Sequence, residues 1–200
     1  MISAIDAILF EPVGALADFP GGSQSYWGRV SSLASRNGPL TADERAGLEH
    51  SELEMADQAV LYDDAVPALS ELSALGVKLI TASSLSEIAL TRFLERAAVG
   101  RLFHDRWSRD TAGGVGCVVL TKAVSAASLT PGRVLFLADT ELGLRAAHQA
   151  GVNPILMMND PDEAMRLTAC KPSGGIVSLH ELPDFVRFVA ARSRAAASNR

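Results

Sequence analysis

Four short runs constrain this chain most: AIDAILF (4–10), VKLITA (77–82), VLFLA (134–138) and NPILMM (153–158). Each is apolar almost without interruption. A strand of that kind must be covered on both faces, which is the situation of a parallel sheet between two helix layers. Further pieces at 106–108 and 176–178 read as edge strands. Between the runs lie helix signals. SLSE (84–87) and TADE (41–44) have the S/T-x-x-E form of a capping box. DPDE (160–163) sets Asp160 as a cap before Pro161. TELGLRAAHQAG (140–151) follows the third run and stops on a glycine. Strand–helix alternation of this kind predicts a doubly wound α/β fold.

One stretch breaks the alternation. Residues 18–61 hold no convincing strand. After the loop PGG (20–22), SYWGRVSSLASRNG and TADERAGLEHSELEMADQAVL read as two helices. The expected organisation is therefore a core of residues 1–17 and 62–200, with a small helical cap, 18–61, inserted after the first strand. The basic, small-residue tail ARSRAAASNR is expected to fray.

At 200 residues, 48% apolar and 20% charged, the chain has the balance of a globular protein. A net charge of −5 leaves no basic footprint, which argues against nucleic acid. No apolar run nears the roughly 20 residues of a membrane helix, and no signal peptide is evident. Cys117 and Cys170 match no metal or redox spacing. Both read as reduced core thiols of a cytoplasmic protein.

In an open parallel sheet, ligands bind beyond the carboxyl ends of the strands. Glu11 follows the first strand, Ser83 and Ser84 the second, and Asp139 the third. Two carboxylates there would suit Mg²⁺, and the serines at a helix start would suit phosphate. Each has a plainer reading: Glu11 as a turn residue, Ser84 and Asp139 as helix caps. The agreement of three strand ends favours a site. His50, His104, His148 and His180 are scattered and read as surface or packing residues.

At these positions the chain resembles the haloacid dehalogenase (HAD)-like hydrolase superfamily. DAILFEPVGALAD is similar to that family's first motif, GVKLITASS to its second, and PGRVLFLADTELGLRAAHQAG to its fourth. The resemblance implies a Rossmann-like sheet, and chemistry through an aspartyl-phosphate. One aspartate attacks phosphorus, and a second, two residues on, protonates the leaving group. A lysine steadies the charge, and Mg²⁺ bridges phosphate and carboxylates. It assigns Ser83 and Ser84 to phosphate, and Glu11, Asp139 and the carbonyl of Val13 to the metal.

The catalytic positions are degenerate. The nucleophile position holds Glu11, the acid–base position Val13, and the lysine slot, counted back from Asp139, Gly114. Lys122, eight residues on, is displaced by about 12 Å along a helix. The expectation is a catalytically impaired phosphatase relative that binds a small phosphorylated molecule or a protein partner. The rivals are an active hydrolase using Glu11, either a phosphatase or a dehalogenase, and a purely structural subunit. Oligomeric state is left open.

Overall fold

The computed structural model describes residues 4–20, 23–36 and 40–198. Gly21 and Gly22 of the expected loop lie outside the described residues. Strand β1 (Ala7–Phe10) runs into the tight turn α1 (Pro12–Ala15) and then β2 (Ala17–Asp18). Helices α2 (Ser23–Ala34) and α3 (Ala42–Gln58) follow, and the chain returns through β3 (Val60–Leu61). From there it alternates: α4 (Ala65–Ala74), β4 (Lys78–Ala82), α5 (Glu87–Arg96), β5 (Asp105–Trp107), the short α6 (Arg109–Ala112) and α7 (Cys117–Ala126). The last elements are β6 (Val134–Ala138), α8 (Glu141–Ala150), β7 (Asn153–Met157), α9 (Pro161–Leu167), β8 (Gly174–Ile176) and α10 (Glu181–Ser198).

Six strands form one parallel sheet in the order β5-β4-β1-β6-β7-β8. The continuous apolar runs have the expected cause. Ile8 and Phe10 face one core with α4, α5 and α10, while Ala7 and Leu9 face the other with α7 and α8. All four are wholly buried. Among the described residues no helix is long and apolar enough to cross a membrane.

The differences from the sequence reading are local. Strand β1 begins at Ala7, not residue 4, and β7 ends at Met157. The edge strands sit at Asp105–Trp107 and Gly174–Ile176, shifted one and two residues toward the N-terminus. Residues 18–61 do contain strand at their ends, because β2 and β3 pair antiparallel. At two residues each they are too short to show alternation. Residues 191–198 of the tail belong to α10, which continues to Ser198, in keeping with its run of strong helix formers, three alanines. The capping boxes divide. Thr41 and Glu44 form theirs, and Asp160 caps α9. The cap of α5 is Ser86, not Ser84, since Ser86 Oγ accepts from the Ala89 amide. Residues 83–85 stay outside the helix because their polar groups are engaged in the crevice.

Candidate functional site

Strands β4, β1 and β6 are neighbours, so the ends that carry Ser83, Glu11 and Asp139 meet at the centre of the sheet. Glu11 leaves β1 with an extended backbone, and Pro12 starts the turn. Gly14 closes it at φ +79°, and a Cβ there would lie 1.9 Å from Asp139 Oδ2. Only glycine allows the turn to rest against that carboxylate.

The Glu11 side chain turns inward and is 3% exposed. Ser83 Oγ donates to Oε1 at 2.6 Å and the Ser84 amide donates to Oε2 at 2.9 Å. Ser83 Oγ in turn accepts from the Leu85 amide at 3.1 Å. Burial pushes the Glu11 carboxyl up from its ordinary 4.5 to about 8, against the pull of these hydrogen bonds. Asp139 is raised by burial to about 6. Its Oδ2 accepts from Asn159 Nδ2 at 3.3 Å, and its buried Oδ1 has no partner. Asn159 also donates to the Gly14 carbonyl at 2.7 Å, tying β7 to the turn. Thr140, not Asp139, caps α8.

Helix α2 closes the crevice. Tyr26 is wholly buried, and its hydroxyl has no partner. Burial, then the charges of Glu11 and Glu52, hold its phenol well above the ordinary range. Trp27 packs on it with ring centroids 4.9 Å apart. What remains beside Glu11 is a cavity of about 20 Å³, walled in part by Trp27, Ser84, Gly116, Phe136 and Leu142. That is room for about one water.

A second polar cluster joins α3 to the starts of α5 and α6. Glu52 is 0% exposed and Arg109 5%. Arg109 Nη1 donates to Glu52 Oε1 at 2.6 Å, and Nη2 to Oε2 at 3.3 Å. The Ser86 amide donates to Glu52 Oε2 at 2.9 Å. Arg109 Nη1 also lies 3.4 Å from the Ser84 carbonyl, so it braces the residue whose amide holds Glu11.

A family model described as haloacid dehalogenase-like hydrolase matches residues 6–151. The chain belongs to that family. No curated protein matches it. Among solved structures, a haloacid dehalogenase-like hydrolase from Streptococcus pneumoniae superposes with a TM-score of 0.72 at 17% identity, covering 92% of this chain and 99% of its own. L-2-haloacid dehalogenase from Xanthobacter autotrophicus, with chloropropionic acid covalently bound, gives 0.68 at 19%, covering 92% and 99%. A haloacid dehalogenase-like protein from Agrobacterium tumefaciens gives 0.70 at 20%, covering 94% and 100%. At these identities the likeness is one of fold.

The HAD-like frame sorts the sequence candidates by place. Glu11, Ser83, Ser84 and Asp139 come together, and Val13 is wholly buried in the core beneath the turn. Gly114 does not line the Glu11 cavity; it lines a neighbouring one with Arg45 and Arg109. The loop residue beside Glu11 is Gly116, whose amide approaches Ser84 Oγ at 3.4 Å. Its φ of +59° is a conformation a lysine adopts only under strain. Lys122 and Lys78 are exposed. Among the histidines, His104 Nδ1 accepts from the Leu79 amide, His148 meets the Cys170 carbonyl, and His50 lies beside Glu54. Asp105 binds its own loop, accepting from Trp107 Nε1.

HAD-like hydrolases generally use Mg²⁺. Among the described residues no group of three or more His, Cys, Asp or Glu converges. Both Glu11 oxygens already accept from Ser83 and Ser84, and burial favours the neutral carboxyl. Asp139 Oδ1 is the orphaned carboxylate oxygen at the site. That donor set does not fit a Mg²⁺ bridging the two acids.

Residues that sequence reasoning missed are Tyr26, Trp27, Glu52, Arg109, Gly116 and Asn159. Asn159 follows a strand end, so the rule that found Glu11 and Asp139 reaches it too. Glu52 and Arg109 are 57 positions apart and carry no local signal.

Proposed function

We propose that this chain is a non-hydrolysing member of the HAD-like family, with residues 18–61 acting as a cap that stays shut and Glu11 filling its own anion site. One observation carries the reading: the Glu11 carboxyl takes the Ser83 hydroxyl and Ser84 amide, the donors that a small phosphorylated molecule would need. A glutamate reaches them because it is one methylene longer than aspartate. The acid–base position, Val13, has no proton to give. A positioned general acid is worth about 10²–10⁴-fold, and one electrostatic stabiliser about 3–4 kcal/mol. Free thiols at Cys117 and Cys170 suit the reducing cytoplasm. Steady-state assays on a panel of phosphomonoesters should give rates near background. Turnover of about 1 s⁻¹ or more, abolished by Glu11→Ala, would overturn the proposal.

A further inference from the structure

Two hollows on the cap side lie apart from the Glu11 crevice. One, of about 540 Å³, runs between α2 and α3 and is lined by Gly28, Leu33, Leu40 and Leu48 among others. The second, of about 200 Å³, lies between the cap and the loop after α6, and Arg45, Arg109 and Val115 help to line it. Leu33 and Leu40 line both, so the two hollows adjoin along a shared apolar wall, a trough that also carries Ser25, Ser32 and Ser51 on its larger side.

The charges along it are unequal. Arg36 is paired with Glu44 at 2.7 Å, and Arg109 is committed to Glu52. Asp110 accepts from the Glu87 amide at 2.9 Å and lies 3.6 Å from Arg109 Nε. Arg29 donates to Ser25 Oγ. Arg45 lines the smaller hollow with no hydrogen bond or ion pair from its side chain among the described residues. An unpaired guanidinium at the end of an apolar trough is matched by a planar carboxylate, which it can bind through two parallel hydrogen bonds. Asp110 lines the same hollow, and its negative charge opposes a dianion such as a phosphate monoester more than a monoanion.

We propose that the trough binds an amphipathic monocarboxylate, a medium-chain fatty acid, with its carboxylate on Arg45 and its chain over Leu33, Leu40 and Leu48. The site is independent of the Glu11 crevice and stands whether or not the chain hydrolyses anything.

Calorimetric titration of the full chain with hexanoate, octanoate and decanoate below their micellar concentrations tests it. Octanol and inorganic phosphate serve as controls. Affinity should rise several-fold with each added pair of methylenes, since each buried methylene is favourable. Octanol and phosphate should bind at least about tenfold more weakly than octanoate. Arg45→Glu should weaken decanoate about tenfold or more and leave octanol unchanged. Gly28→Leu should weaken decanoate more than hexanoate by filling the groove. Gly28 has nothing within 4 Å of an added Cβ, so that helix accepts leucine. The proposal fails if decanoate does not bind at millimolar concentration, if octanol matches octanoate, or if Arg45→Glu changes nothing. A dimer broken by Gly28→Leu but untouched by decanoate would assign the trough to a second copy, and would overturn it too.

Discussion

Glu11 gives the site its character through one methylene. In an aspartate the carboxyl would stop short of Ser83 and Ser84; in glutamate it reaches both and is buried. Burial raises its folded pKa from 4.5 to about 8, so the folded state holds a proton that the unfolded state releases. Its favourable contribution is therefore complete below about pH 4.5 and is lost as pH rises through about 8. Glu11→Gln keeps the shape, donating to Ser83 Oγ and accepting from the Ser84 amide, but does not titrate. Urea denaturation should show wild type losing on the order of a few kcal/mol relative to Glu11→Gln between these limits. Parallel pH profiles would refute the assignment. At Gly14, Gly14→Ala should cost more than about 2 kcal/mol, because its Cβ would collide with Asp139 in a left-handed backbone. A change below about 0.5 kcal/mol, the range of ordinary surface substitutions, would show that the turn relaxes freely.

Between elements, the Glu52–Arg109 pair is a buried polar contact that helps to hold α3 over the crevice, beside the Asp57 pairs with Arg92 and Arg96. Glu52 and Arg109 are both out of water, so removing one strands the other. Glu52→Ala should destabilise by about 3–5 kcal/mol, while Glu52→Met with Arg109→Leu should cost much less. The double-mutant cycle, measured by chemical denaturation, decides it; additive effects would mean the pair is not a unit. Hydrogen exchange adds a second readout. In Glu52→Ala the amides of Ser84 and Ser86, which donate to Glu11 and Glu52, should lose protection ahead of the β1 and β6 amides. On α3, Thr41→Ala removes a capping box that was legible in the sequence and should cost about 1 kcal/mol.

For the whole molecule, closure and chemistry are linked. Glu11→Asp vacates the donor pair and Val13→Asp supplies an acid, but neither loop glycine takes a lysine well: Gly114 lines the neighbouring hollow, and Gly116 holds a φ of +59°. Each change alone should leave phosphatase rates at background, because such groups act as a unit. Adding Gly114→Lys or Gly116→Lys to that pair should also leave Mg²⁺-dependent hydrolysis of a generic phosphomonoester near background, the first for its place and the second for its strained backbone. A clear gain in rate with either lysine would contradict the loop geometry. Wild type should show no calorimetric Mg²⁺ binding at millimolar metal, and Glu11→Asp should gain it. Wild-type binding lost in Asp139→Ala would show that the two acids share a cation after all.

The sheet was written into the sequence by itself. Strands buried on both faces must be largely apolar, and residues 134–138 show this without any partner in view. The convergence of Glu11, Ser83 and Asp139 was also legible, because strand ends in a parallel sheet share one edge. Tertiary structure alone decided what those groups do there. That Glu11 turns inward to Ser83, that Tyr26 seals it, and that Arg109 meets Glu52 across 57 residues depend on where α2 and α3 fold back. The same holds for Gly116, whose place beside Glu11 is set by the path of the loop after α6. Local periodicity records which side of an element is buried. It does not record which distant side chain will be there to meet it.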